Sequence, residues 1–375
     1  MPTTTPEPDE DLYPDDFPPP EPVHYAEQAL LGALLLHPQR LKTIGPLEPD
    51  HFGNHSHGTL FAAMRTVPVP DPEAHAKEPV WLNAVLEAAR PEAPGLDASY
   101  LFTLVQACPR PEHAATYAQM IRAGHARRTL RMHAQRLAHT AADTTLPNPA
   151  ASTVEQADAL ARFLDELAGQ FPPHPGSLPR TPLPPPPPRE THEDALDEER
   201  LLLATATAHS AELKTMRWLQ ATDFSWPLHG AVFQCLAALA HRGDPVDPVT
   251  VLWEAQHRAL LTPGIAPADL MALLSTPAGS PEYWGEKILQ RSLLAQARTT
   301  AERIQALTDD PANTPHQLVT GSRRALADFT AVRARWQHTG TKPSPAARLP
   351  SRAPAAPRAG PPRPAPPATP VRVTR

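Results

Sequence analysis

Residues 27–64 read EQALLGALLLHPQRLKTIGPLEPDHFGNHSHGTLFAAM, and residues 199–236 read ERLLLATATAHSAELKTMRWLQATDFSWPLHGAVFQCL. Laid on each other without a gap, the two stretches share twelve of their 38 positions. Glu27 falls on Glu199, Leu30-Leu31 on Leu202-Leu203, His37 on His209, and Leu41-Lys42-Thr43 on Leu213-Lys214-Thr215. Leu47 falls on Leu219, Phe52 on Phe224, His57-Gly58 on His229-Gly230, and Phe61 on Phe233. Chance composition does not produce such a run; the chain carries one domain twice.

Working outward, the same offset sets Trp81 on Trp253. With a shorter loop in the second copy, Tyr117 to Ile121 matches Trp284 to Ile288, and Ala126, Leu130, Ala134 and Leu137 match Leu293, Ala297, Ala301 and Ile304. Each copy closes on one more amphipathic helix, marked by Phe163, Leu164 and Leu167 in the first and by Leu326, Phe329 and Val332 in the second. Apolar residues recur at helical spacing throughout, with no sustained alternation of period two and no Asn-Gly or Asp-Gly hairpin turn. A long helix is predicted from about His113 to Ala142, and another over Ser152–Leu167, capped by Ser152 or Thr153 with Glu155 or Gln156 three residues on. Trp81, Trp253, Trp284, Phe61 and Phe233 are read as core. The fold class expected is all-α, with two tandem helical domains, each a small bundle followed by a helical hairpin.

The domain plan follows from composition. Of the 51 prolines, many sit outside the helical patterns. Residues 1–22 carry Glu7, Asp9, Glu10, Asp11, Asp15 and Asp16 with no apolar core, so a disordered acidic tail and no signal peptide are expected. The two domains span 23–170 and 193–338. Between them, residues 171–192 include five consecutive prolines, Pro184 to Pro188, and read as a semi-rigid polyproline spacer. Residues 339–375 hold seven lysines and arginines and no acid, and read as a disordered basic tail. No stretch reaches the roughly 18–20 apolar residues that span a bilayer. Cys108 and Cys235 stand at no metal or disulfide spacing. The expectation is a cytoplasmic protein with no membrane role.

The repeated pattern resembles the N-terminal domain of bacterial replicative DNA helicases of the DnaB type. Glu27-Gln28 followed by a leucine- and glycine-rich helix, Phe52 leading to His57 and Phe61, and Gly243-Asp244-Pro245-Val246-Asp247 all resemble that family's pattern; Asp247 reads as an N-cap with Pro248 in the first turn. The likeness extends over about 25–167 and 197–335. The first copy has a proline-rich insert, Val67 to Pro79, in place of a clean Pro-Val-Asp loop, and the second has Ala204 where the first has Gly32. In the family this domain pairs, forms a collar on the helicase ring, contacts primase and precedes a RecA-type ATPase. None of the five lysines (42, 77, 214, 287, 342) follows a glycine, so the phosphate-cradling loop of such an ATPase is missing.

The resemblance implies a non-catalytic, primosome-linked accessory protein that binds replicative helicase, primase or both. The two repeats are expected to pair within one chain or between chains. The alternatives are a DNA-associated protein working through its basic tail, and a helicase subunit needing a separate ATPase chain. No catalytic residue, cofactor or metal is expected; the cluster His51, His55 and His57 reads as caps or packed histidines. Candidate contacts for nucleic acid or a partner are Arg122, Arg127, Arg128, Arg131 and Arg136 on one helix, where a solvated face is the plainer reading, and Lys342, Arg348, Arg352, Arg358 and Arg363 in the basic tail.

Overall fold

The structure, a computed structural model, describes residues 21–78, 80–182, 184–185, 192–262 and 264–340. The acidic tail up to residue 20, most of the polyproline run and the basic tail with Lys342, Arg348, Arg352, Arg358 and Arg363 lie outside the described residues. Among the described residues there are thirteen α-helices and no strand, in line with the all-α expectation. The first half holds α1 (Pro22–Leu36), α2 (His55–Thr66), α3 (Pro72–Lys77), α4 (Val80–Ala89), α5 (Ala98–Gln106), α6 (Ala114–Ala142) and α7 (Pro149–Gln170). The second holds α8 (Glu193–Ala208), α9 (Pro227–Arg242), α10 (Pro248–His257), α11 (Pro267–Leu273), α12 (Pro281–Asp309) and α13 (Pro315–Gly340). None is long and apolar enough to cross a membrane.

The repeat is the packing plan. Leu30, Leu31, Leu47, Phe61 and Met64 lie in one buried cluster, and Leu202, Leu203, Leu219, Phe233 and Leu236 in another. The His-Gly pair recurs for a steric reason. A Cβ on Gly58 would lie 2.5 Å from the Pro49 carbonyl oxygen, and one on Gly230 would lie 2.3 Å from that of Ala221. Both carbonyls belong to short 3-10 turns, Pro49–His51 and Ala221–Asp223, that press on the start of α2 and α9. Gly32 answers to a different neighbour: a Cβ there would meet the Leu104 carbonyl at 2.0 Å, so only glycine lets α1 and α5 approach so closely. The second copy, with Ala204 in that place, has the seven-residue α11 instead of the nine-residue α5.

Three sequence expectations need correction. Trp253 is not core: it is 64% exposed, whereas Trp81 is 5% exposed. The insert in the first copy forms α3, while α9 runs four residues longer than α2. The register therefore slips: Val251 and Ala255 take the buried places of Trp81 and Val85, which turns Trp253 outward. The cap of α7 is Asn148, whose side chain accepts from the Ala151 amide at 3.1 Å, not Ser152 or Thr153; Pro149 at the first helical position moves the start upstream. The first part of the spacer is docked rather than free. Phe171 and Ser177 are buried, His316 meets the Pro172 carbonyl at 2.8 Å, and Thr181 donates to Asp310 at 2.6 Å. By contrast, Asp247 caps α10 as expected, accepting from Val249 and Thr250.

Thr153, freed from capping, is buried with a hydroxyl that has no hydrogen-bond partner. Thr153→Val keeps the shape and removes the orphaned group. It is expected to raise the unfolding free energy by about 1 kcal/mol in a urea titration.

Candidate functional site

Each domain is organised around a buried ionisable pair that the two copies share. In the first, Glu27 on α1 accepts from the Gly53 amide at 2.6 Å, from the Asn54 amide at 3.4 Å and from His57 Nδ1 at 2.8 Å. In the second, Glu199 accepts from the Ser225 amide at 2.5 Å, from Trp226 at 3.4 Å and from His229 Nδ1 at 2.7 Å. All four side chains are buried. The carboxylate closes the corner where the chain enters α2 or α9 by satisfying amides that have no helical partner. Burial by itself raises the pKa of Glu27, but the hydrogen bonds from His57 and Gly53 outweigh it and hold the carboxyl below its ordinary value. His57 is thus a packed, paired histidine, while His51 faces a separate pocket.

The far side of His57 differs between copies. Its Nε2 meets the Tyr100 hydroxyl at 2.7 Å, and His24 stacks on its ring at 5.1 Å between centroids. In the second copy Trp226 lies on His229 at 4.8 Å. His24, Glu27 and His57 bring ligand atoms within 4.8 Å of one another. The arrangement fits a hydrogen-bonded group better than a metal: the His24 and His57 rings stack, 27° apart in plane, and both His57 nitrogens already have protein partners, Glu27 and the Tyr100 hydroxyl.

The candidate interaction element is the block of four helices made by α6, α7, α12 and α13. One buried cluster contains Leu130, Ala134 and Leu137 of α6, Leu160 and Leu164 of α7, Leu293, Ala297, Ala301 and Ile304 of α12, and Phe329 of α13. The alanines on α6 and α12 let their backbones approach. The two hairpins therefore pair with each other inside one chain.

Four of the five arginines singled out on α6 make contacts within the chain, two to loops of the first domain and two to the end of α12. Arg122 donates to the carbonyls of Ile44 at 3.1 Å and Pro46 at 3.2 Å, and Arg128 to that of His51 at 2.7 Å. Arg127 reaches across to the other copy, donating to the carbonyls of Thr308 (2.8 Å), Asp310 (2.7 Å) and Asn313 (2.5 Å) at the end of α12. Arg131 pairs with Asp309 at 3.2 Å. Arg136 stays exposed. The sequence reading did not separate these roles, since carbonyl acceptors leave no mark in the sequence.

Charge also sorts the pairing. Helix α7 has four acids to one arginine, and α13 has four arginines to one acid. Arg333 holds Asp158 with both nitrogens, the longer contact being 3.0 Å, and Arg323 pairs with Asp165. A pair of identical α7 hairpins would place acid against acid, so the interface favours the unlike copies. Reversing α7 with Asp158→Arg and Asp165→Arg is expected to cost about 2 kcal/mol. Adding Arg323→Asp and Arg333→Asp restores most of it; the readout is a double-mutant cycle in urea.

An all-α chain with two like bundles joined through their hairpins defines a tandem, self-paired helical protein. Residues 19–123 and 191–285 each match the DnaB-like helicase N terminal domain, together more than half of the chain, and the protein belongs to that family. This gives the chain a role related to DNA-replication helicases. The matches stop in the third turn of α6 and the second turn of α12, before most of the hairpins to which the sequence resemblance extended. No curated protein and no solved structure matches the chain.

Proposed function

We propose that this protein is a non-catalytic replication accessory factor that offers a ready-made pair of helicase N-terminal domains to the replicative helicase, the primase or both. The observation that carries the reading is the pairing of α6–α7 with α12–α13 within one chain, closed by Arg127 and by the unlike charges of α7 and α13. A domain that pairs to build a collar needs two copies; here one polypeptide supplies both, already in register. The chain contains no Gly-Lys-Ser/Thr sequence, which supports a binding role over a motor. The test is affinity capture of the tagged full-length protein at its native level, followed by reconstitution with purified helicase and primase. Direct binding of either supports the reading. Binding of neither, with salt-sensitive DNA binding that depends on residues 341–375, would replace it with a DNA-associated role. ATP hydrolysis by the pure chain would overturn the non-catalytic reading.

A further inference from the structure

The duplication shows a site in the first domain that its twin has sealed. In the second domain, Asp223 at the end of a 3-10 turn accepts from Ser292 Oγ of α12 at 2.8 Å and from Arg335 Nη2 of α13 at 2.9 Å. The carboxylate is buried and its place is full. The repeat sets His51 on Asp223, and the matched registers of the long helices set His125 on Ser292 and Gln170 on Arg335. All three members of the sealed group are therefore replaced together. The backbone role survives: the Glu48 amide donates to His51 Nδ1 at 3.3 Å, as the Gln220 amide does to Asp223 at 2.7 Å.

What replaces the ion pair is a cavity of about 140 Å³, lined among others by His51, Arg122, His125, Phe163, Glu166 and Gln170. It continues into an outer hollow of about 290 Å³ that shares His51, Arg122 and Gln170. The rings of His51 and His125 lie 4.4 Å apart. Arg122 spends one nitrogen on the Ile44 and Pro46 carbonyls, and has no carboxylate within ion-pair distance among the described residues. Where the second domain holds a carboxylate against an arginine, the first holds a guanidinium and two imidazoles around a hole.

We propose that this pocket binds an oxyanion, a phosphoryl group or a carboxylate, seated between Arg122, His51 and His125 with the Gln170 amide at its mouth. The ligand takes the place that the Asp223 carboxylate fills in the second domain. Both imidazoles are half-buried and are held below the ordinary histidine pKa, His51 by desolvation and by Arg122 and Arg128, His125 by desolvation and by His51 and Arg128. Glu48 and Asp50 beside the 3-10 turn and Glu166 on α7 are the acids that face or adjoin them. His51 Nδ1 accepts from the Glu48 amide, so His51 offers the anion its Nε2–H as a neutral ring. The anion favours the protonated form of His125, so binding tightens as pH falls from 8 to 6.

The test is calorimetry on the full-length chain with sulfate, whose charge is fixed over that range, and with acetate. The expected result is saturable one-site binding in the millimolar range or tighter. Sulfate alone marks a phosphoryl ligand; acetate, alone or with sulfate, marks a carboxylate. The triple variant His51→Asp, His125→Ser, Gln170→Arg installs the set that seals the second domain, and is expected to abolish binding. Should it fail to fold, His125→Ser alone weakens binding about tenfold, equivalent to one charge-assisted hydrogen bond. No saturable binding of either anion, or binding that these variants leave unchanged, overturns the proposal.

Discussion

Glu27→Ala is expected to destabilise the protein by about 3–5 kcal/mol, the cost of removing one member of a buried pair. The loss has three parts. The Gly53 and Asn54 amides lose their acceptor, His57 keeps a buried Nδ1 with no partner, and a void opens beside Leu30 and Leu31. Glu199→Ala should do the same in the second domain, where Ser225, Trp226 and His229 lose the same acceptor. The two sites share no partner, so their costs should add. Urea titration of each single variant and of the pair measures this. The pH dependence has a definite sign. Glu27 has its pKa lowered from 4.5 in the folded state. Its contribution is therefore complete above about pH 4.5 and is lost as the pH falls through the lower folded value. The gap between wild type and Glu27→Gln should accordingly close in acid, and a gap that widened below pH 4.5 would contradict the assignment.

Arg127→Ala is expected to cost about 2–3 kcal/mol and to loosen the junction between the two copies. The last carbonyls of α12 have no helical donors and carry the negative end of the helix dipole. The Arg127 guanidinium supplies both donors and charge, across three acceptors within 2.8 Å. Burial depresses its pKa while Asp310, Glu21 and Asp309 oppose that, and an arginine stays charged throughout. Arg127→Lys should recover only part of the loss, because a single ammonium cannot span the fork. Hydrogen exchange should quicken first around Asp310–Asn313. The contact is one-sided: the matching position on α12 is Leu294, and at the end of α6 Asp143 instead accepts from Thr145. An equal quickening at the ends of both long helices would contradict this.

Much of the fold could be read from the repeat, and the reasons are physical. Leucine and phenylalanine identities such as Leu30/Leu202 and Phe61/Phe233 mark core, because packing constrains shape at every such position. The polar identities carried equal information that composition alone does not expose. Glu27 and His57 recur as Glu199 and His229 at the same separation, and only the folded chain shows that they hold each other. The register of Trp253 was lost because the two copies bridge the same gap differently, one with α3 and the other with a longer α9. The division of charge between α7 and α13 stands in the sequence, but its meaning depends on the two helices being neighbours. The arginines of α6 were the least legible, since three of them answer to backbone carbonyls, which every residue has.

The central claim is that the two family domains pair within one chain. The most direct measurement inserts a protease site between Pro182 and His192, cuts the purified protein, and follows its mass in solution across a range of concentrations. The account predicts a monomer of 40.7 kDa before cutting. After cutting, it predicts a one-to-one complex of the two halves that stays together on a sizing column. Halves that separate, or an intact chain that doubles its mass, would show that the hairpins do not close on each other within the chain.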